Sequence, residues 1–511
     1  MKTTVGIAGA LAAVLFAAAC ASGGSEGGGP AQEPLAAFYD QEISWSDCGS
    51  GFECGTFEVP RDYTDPDGAR LEIAVKRLPS DGADRIGSLV INPGGPGGSG
   101  IGYVSAATSV LSQQLRDRFD VVGFDPRGVG QSSPLYCLDA GELDDYLGLQ
   151  VASRDGDGDL AEVTDAGLDE LAESSRGFVE SCQERSGDLL PHVGTANVAR
   201  DMDVLRALLG DDGLSYLGKS YGTTIGAYYA ELFPNRVRTL VLDGAVDPDM
   251  DQLEGSVQQA DGFNTALTAF VEDCLTQSDC PLADGPDTTP EEAVDRLLGL
   301  FEEAAREPLS SSLGDGREVN RPRLESGVLA ALYSESYWPK VRSGLTDAFA
   351  GDGTALLKLG DMLYSRGDEK AFENSTAVLV AVNCADRVSP RDIGVYQRAA
   401  VKAGEDSPVF GPALAWSALP CAYWPEDAIA PPLVLDGDGA PPILVVGTLR
   451  DSATPYRWAQ NLAGDLESGV LLTWDGDGHT AYRVGDRCVD EAVDTYFLEA
   501  VPPSEGAVCD L

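Results

Sequence analysis

Ser220 lies at the centre of Gly218, Lys219, Ser220, Tyr221 and Gly222, a GxSxG pattern that follows an apolar run at residues 214–217 and precedes a small-residue helical stretch at 223–233. A strand that turns sharply into a helix lifts a serine oxygen clear of the main chain, where a base can reach it. The chemistry open to such a serine is acyl transfer, provided that a base and an acid stand beside it. The chain holds 60 glycines, so the pentapeptide alone is as compatible with a glycine-rich loop. The rest of the constellation separates the two readings.

Only two histidines are available as the base, His192 and His479. His479 follows the apolar run 470–474 on what reads as a loop at the end of a late strand, as a base following its nucleophile and acid in chain order requires. His192 follows Pro191 and precedes a helical segment at 197–209, so a structural or surface role is expected for it. For the acid, residues 441–447 read as a buried parallel strand and Asp451 falls in the loop beyond its carboxyl end. Asp475 and Asp477 compete only through their nearness to His479 in sequence. The acid would hold one imidazole nitrogen protonated and leave the other free to accept the Ser220 proton. Acidification should therefore lower activity, because an imidazolium cannot take that proton.

A second glycine-rich stretch, residues 91–100, follows the apolar strand 88–91. Acyl transfer needs two backbone N–H groups aimed at the developing oxyanion, and glycines let the main chain approach closely. Tyr221 N–H is one expected donor, and Gly94 or Gly95 the other. Pro93 and Pro96 have no N–H to give. No Lys followed by Ser or Thr closes this run, which argues against a phosphate-binding loop.

These residues need a frame. Apolar runs at 71–75, 88–91, 121–124, 214–217, 239–242, 443–446 and 470–474 alternate with helical stretches, which predicts a mostly parallel, doubly wound α/β sheet. Ser220, Asp451 and His479 all fall just past such runs, at the edge where open α/β sheets bind ligands. Between residue 249 and about residue 432 the pattern turns helical, for example at 291–306 and 351–364. It reads as an inserted, mainly helical cap over the site. Residues 137–182 form a smaller excursion.

Four stretches carry a family likeness: VINPGGPGGSG (residues 90–100), VGFDPRGVGQS (122–132), GKSYGTTIGAYYAELFP (218–234) and VLDGAVDP (241–248). With the segments around Asp451 and His479, they resemble the α/β-hydrolase serine peptidases that include prolyl iminopeptidases and the secreted tripeptidyl aminopeptidases of actinobacteria. The likeness runs from about residue 57 to the end and is weakest between 249 and 441. Pro93 stands where prolyl iminopeptidases carry a histidine before the paired glycines, which moves the likeness toward the tripeptidyl branch. The resemblance implies an α/β-hydrolase fold and removal of short N-terminal peptides, tripeptides above all.

The N-terminus has one lysine, an apolar run at 5–19 and then Cys20, the features of an export signal. The run is short for a permanent membrane span. Ala17 to Cys20 look like a bacterial lipobox, which implies cleavage before Cys20 and lipid on its sulfur; Ala17 stands where leucine is commoner, so plain secretion remains an alternative. The expected organisation is signal peptide 1–19, lipid-attachment Cys20 with a flexible linker to 35, first core part 36–248, cap 249–432 and second core part 433–511. Membrane contact would be limited to the Cys20 lipid.

Eleven cysteines minus Cys20 leave ten, which in an exported chain argues for disulfides over metal. Spacing leaves the connectivity open, and pairing of sequence neighbours is the simplest scheme. No CxxC or clustered His/Cys spacing supports a zinc site, and no cofactor is expected. With 35 basic and 83 acidic residues the formal charge is −48. Such a surface repels nucleic acid and attracts cations, a peptide's free ammonium among them.

The expected partners are peptides with a free N-terminus. An exopeptidase needs a carboxylate at a fixed distance from the nucleophile to pair with that ammonium, and Glu335 and Asp386 are the candidates. An esterase using the same machinery and a noncatalytic peptide-binding lipoprotein are the competing functions.

Overall fold

The computed structural model describes residues 35–80, 82–151, 163–367, 372–484 and 486–510. The signal sequence, Cys20 and all of the linker except Leu35 lie outside the described residues. Among the described residues, ten strands form one sheet: β1 (Ser46–Asp47), β2 (Glu53–Pro60), β3 (Arg70–Leu78), β4 (Gly87–Asn92), β5 (Phe119–Phe124), β6 (Leu214–Lys219), β7 (Val237–Asp243), β8 (Ile443–Arg450), β9 (Gly469–Asp477) and β10 (Ala507–Cys509). Their spatial order is β1-β2-β3-β5-β4-β6-β7-β8-β9-β10. β1, β2 and β3 pair antiparallel, as do β3 and β5; every other pairing is parallel.

Each of the seven apolar runs falls within a strand. β4 and β5 are buried along their whole length, as strands covered by helices on both faces must be. Alternate residues feed two cores. Val90, Val122, Tyr216, Leu240 and Val445 point to one, and Leu89, Val121, Leu217, Val241 and Leu444 to the other. β1, β2 and β10 carry no comparable apolar run and were not anticipated. β2 is exposed or half-covered at most positions, and β10 has three residues.

Helices fill the stretch between β7 and β8, but they do not form one body. Those from Gln252 to Leu363 enclose a separate core around Phe270, Leu297, Phe301, Leu324, Val328 and Leu345. The helix Ser375–Asp386 instead sends Val378, Ala381, Val382 and Ala385 into the core of the sheet. Five disulfides join sequence neighbours: Cys48–Cys54, Cys137–Cys182, Cys274–Cys280, Cys384–Cys421 and Cys488–Cys509. The second closes the excursion between β5 and β6, and the fourth ties the helix Ser375–Asp386 to a 3-10 turn at Leu419–Tyr423.

Candidate active site

The parallel register assembles the site. Asn92, the last residue of β4, pairs with Gly218 of β6, so the loop that leaves β4 at Pro93 runs beside Ser220. Lys219 pairs with Asp243 of β7, and Arg450 of β8 with Asp477 of β9. The loops carrying Ser220, Asp451 and His479 thus leave one edge of the sheet.

Ser220 has φ 55° and ψ −128° between β6 and the helix Tyr221–Leu232. A left-handed conformation costs a non-glycine residue about 1–3 kcal/mol and persists only where neighbours over-determine it. Here Ser220 N–H donates to Asp243 O at 2.9 Å. Its carbonyl accepts from Thr223 N–H at 2.8 Å and from the Thr223 hydroxyl at 2.6 Å. Crowding explains the flanking glycines. A Cβ on Gly218 would sit 2.3 Å from Gly222 O, and one on Gly222 would sit 3.0 Å from Asn92 Oδ1.

His479 Nδ1 lies 2.8 Å from Asp451 Oδ1. Asp451 is buried and also accepts from Ala453 N–H and Thr454 N–H, both at 2.9 Å, and from Thr480 N–H at 3.1 Å. A carboxylate held by three backbone donors is fixed in place, and it keeps the proton on Nδ1 while leaving Nε2 as the basic nitrogen. The rival acids are otherwise engaged: Asp475 and Asp477 each pair with Arg450 at 2.8 Å. On the far side, His479 N–H donates to Tyr333 O at 2.9 Å, and the Tyr333 ring meets the imidazole edge to face at 5.5 Å between centroids. A Cβ on Gly244 would lie 3.3 Å from His479 Cε1. That places His479 against the residue following Asp243, whose carbonyl holds Ser220.

His192 is elsewhere, in the 3-10 turn Leu190–His192, and its carbonyl accepts from Arg127 Nη1 at 3.0 Å. Arg127, in the shared GFDPRG stretch, forms a fully buried pair with Asp201 at 2.6 Å and also bonds the carbonyls of Pro60 and Arg61. Asp125 of the same stretch accepts from the Ser99 hydroxyl at 2.6 Å and from Gln131 N–H at 3.0 Å. That motif ties the glycine-rich loop to the sheet.

Tyr221 opens its helix, so its N–H has no intrahelical carbonyl to bond. Gly94 touches the nucleophile turn closely: at φ +91°, a Cβ there would be 2.4 Å from Lys219 O and 2.9 Å from Ser220 Cβ. Gly94 N–H is already donated to Asn92 Oδ1 at 2.8 Å. Gly95 N–H has no hydrogen bond among the described residues, which makes it the glycine donor available to an oxyanion. The Asn92 contact was missed at the sequence level. An Asn bonding the N–H two residues on is an Asx turn, and the Asn-Pro-Gly order was its signal.

Of the two carboxylates considered for an ammonium, Asp386 is committed. It accepts from Thr195 N–H at 2.8 Å and from the Thr195 hydroxyl at 2.5 Å, and that hydroxyl meets Tyr221 Oη at 2.6 Å. Burial pushes the Asp386 carboxyl up to about 6, against the bonds from Thr195 that favour its ionised form. Glu335 is exposed, sits two residues beyond Tyr333 and has no ion pair among the described residues. Partial burial, then Asp477 and Asp273, raise its carboxyl above the usual range. Among the described residues, the grouping of metal-ligand types at Asp486, Cys488 and Cys509 has its two cysteines bonded to each other.

Residues 87–340 match the alpha/beta hydrolase fold family and residues 407–509 the TAP-like protein family. Serine protease Hip1 of Mycobacterium tuberculosis is 37% identical over 92% of this chain and 91% of its own length. The chain belongs to the α/β-hydrolase serine peptidases. The tripeptidyl aminopeptidase of Streptomyces lividans is 35% identical over 91% of this chain and 86% of its own. Carboxylesterase B of Mycobacterium tuberculosis is 36% identical over 96% and 94% respectively. A nucleophile turn, an acid bonded to a histidine and a glycine loop beside the turn are the parts that a serine peptidase of this fold requires.

Proposed function

We propose that the protein is an exported serine exopeptidase that releases short peptides, tripeptides above all, from peptides with a free N-terminus. Ser220 Oγ attacks the scissile carbonyl while His479 Nε2 takes its proton. Tyr221 N–H and Gly95 N–H receive the oxyanion. The imidazolium returns the proton to the leaving amine, and water activated by the same nitrogen releases the acyl group. The observation that carries this reading is the 2.8 Å contact between Asp451 and His479, on loops leaving the same sheet edge as Ser220. Likeness to the Streptomyces enzyme supports the tripeptide length. The five disulfides and the signal-like N-terminus support export, with a lipid on Cys20 as the anchor.

Glu335 is the carboxylate that we assign to the substrate ammonium, since both oxygens of Asp386 are engaged by Thr195. Tripeptidyl anilides with free and acetylated N-termini test the assignment. Cleavage of the free form alone is expected, and equal cleavage of both would rule out the exopeptidase reading. Labelling by a fluorophosphonate should vanish in Ser220→Ala. The likeness to carboxylesterase B favours a second reading, an esterase on the same machinery. Higher efficiency on p-nitrophenyl esters than on tripeptidyl anilides would select it.

A further inference from the structure

Lys219, the variable residue between Gly218 and the nucleophile, takes no part in the mechanism above, yet it is nearly buried. Its side chain is 12% exposed and its ammonium lies 3.3 Å from Asp243, whose side chain is fully buried. Taking two charges out of water is unfavourable unless their bonding groups are satisfied, so what else they bond is informative. Asp243 Oδ1 accepts from Ala481 N–H at 2.8 Å and Oδ2 from Tyr482 N–H at 3.0 Å. Lys219 Nζ donates to Tyr482 O at 2.7 Å and to the Thr480 hydroxyl at 3.3 Å. Both charges are therefore spent on the three residues that follow His479.

That loop needs holding. Gly478 and Thr480, on either side of His479, have φ of 102° and 68°. Left-handed backbone at a β-branched residue persists only under outside constraint. Asp243 also accepts from Ser220 N–H through its main-chain carbonyl. One residue pair thus spans the two halves of the site: main chain to the nucleophile, side chains to the base.

We propose that Lys219, acting with Asp243, is a positioning residue that sets the imidazole of His479 relative to Ser220. This rests on the assignment of His479 as the base. The test is a mutant cycle in the full-length protein, read as kcat and KM on a tripeptidyl anilide and a p-nitrophenyl ester. Lys219→Met keeps the aliphatic stem and removes the tether. In the native background kcat should fall about 10- to 100-fold, the scale of a small misplacement of reacting groups, with KM changed less than about 2-fold. In the His479→Ala background the same substitution should change nothing further, because the group that it positions is gone.

An equal loss in both backgrounds would overturn the proposal, as would native kcat in folded Lys219→Met. Should Lys219→Met fail to give a cooperative melt, Thr480→Ala removes one acceptor of the tether and leaves the charges paired. A smaller kcat loss, absent in the His479→Ala background, supports the proposal, and unchanged or background-independent kcat overturns it. Native turnover in His479→Ala would overturn the base assignment together with this inference. An impaired His479→Ala with additive losses would overturn this inference alone.

Discussion

The sheet and the helical stretch between β7 and β8 both hold His479, and they do so by different means. From the sheet come Asp451 at 2.8 Å and the Lys219–Asp243 pair on the residues that follow His479. From the helices come one carbonyl, that of Tyr333, and one ring edge. The alignment of the reacting atoms is thus set by charged groups at or just past the ends of strands, Lys219 and Asp243 within them and Asp451 one residue beyond β8, whereas the helices contribute neutral contacts and the exposed Glu335. A site divided in this way can change what its outer half recognises while its inner half stays in register.

That division predicts a gradient of effects. The largest belongs to Asp451→Asn on the sheet side, where an amide cannot keep Nδ1 protonated in the same tautomer. A fall in kcat of about 10⁴ is expected, measured on a tripeptidyl anilide with a native melting curve as control. Next comes Gly94→Ala. Its added carbon would fall 2.4 Å from Lys219 O and displace the oxyanion loop from the nucleophile turn. Loss of one oxyanion donor corresponds to about 10²–10³ in kcat, and titration with a fluorophosphonate should show slowed labelling in a folded protein.

On the helical side, Glu335→Gln should raise KM about 10-fold for peptides with a free N-terminus, the scale of one charge-assisted hydrogen bond at an exposed site. Ester turnover should stay unchanged. A kcat loss on both substrates would place Glu335 with the sheet-side machinery and erase the contrast.

The smallest effect concerns stability. Asp386 is a carboxyl raised from 3.8 to about 6 in the folded protein. Between those limits the folded form holds the proton that the unfolded chain has lost, so this group's contribution to stability is greatest below about pH 4 and declines as pH rises through about 6. Asp386→Asn should remove that decline from the dependence of Tm on pH between pH 4 and 7. An unchanged slope would mean that the carboxylate stays ionised in the folded state.

Legibility follows the same division. The strands β4 to β8 could be read because burial on both faces leaves a nearly continuous apolar run, and β3 and β9 through shorter apolar runs. β2 could not, because most of its length is half-covered or exposed. Ser220 and His479 stood out through a turn motif and through scarcity. Asp386 was a candidate as one carboxylate of the helical stretch, but nothing local showed that Thr195, 191 residues away, would occupy it. Lys219 occupies the position in GxSxG that the pattern leaves open, so its bond to Tyr482, 263 residues on, had no local signal. The helical stretch was legible as helix but not as helices entering three different cores, since periodicity shows that a face is apolar and not which core receives it.

The order of chemical groups along the chain therefore determined the kind of reaction: a serine in a strand-to-helix turn, then an acid and a histidine each beyond a later strand. Tertiary structure alone separated like groups: Asp451 bonds His479 while Asp475 and Asp477 pair with Arg450, Gly94 N–H is given to Asn92, and Asp386 is held by Thr195. The reason is physical. Residue type and spacing set what a side chain is able to do, whereas its availability depends on which donors and charges the parallel register brings within about 3 Å of it, and those come from distant parts of the sequence.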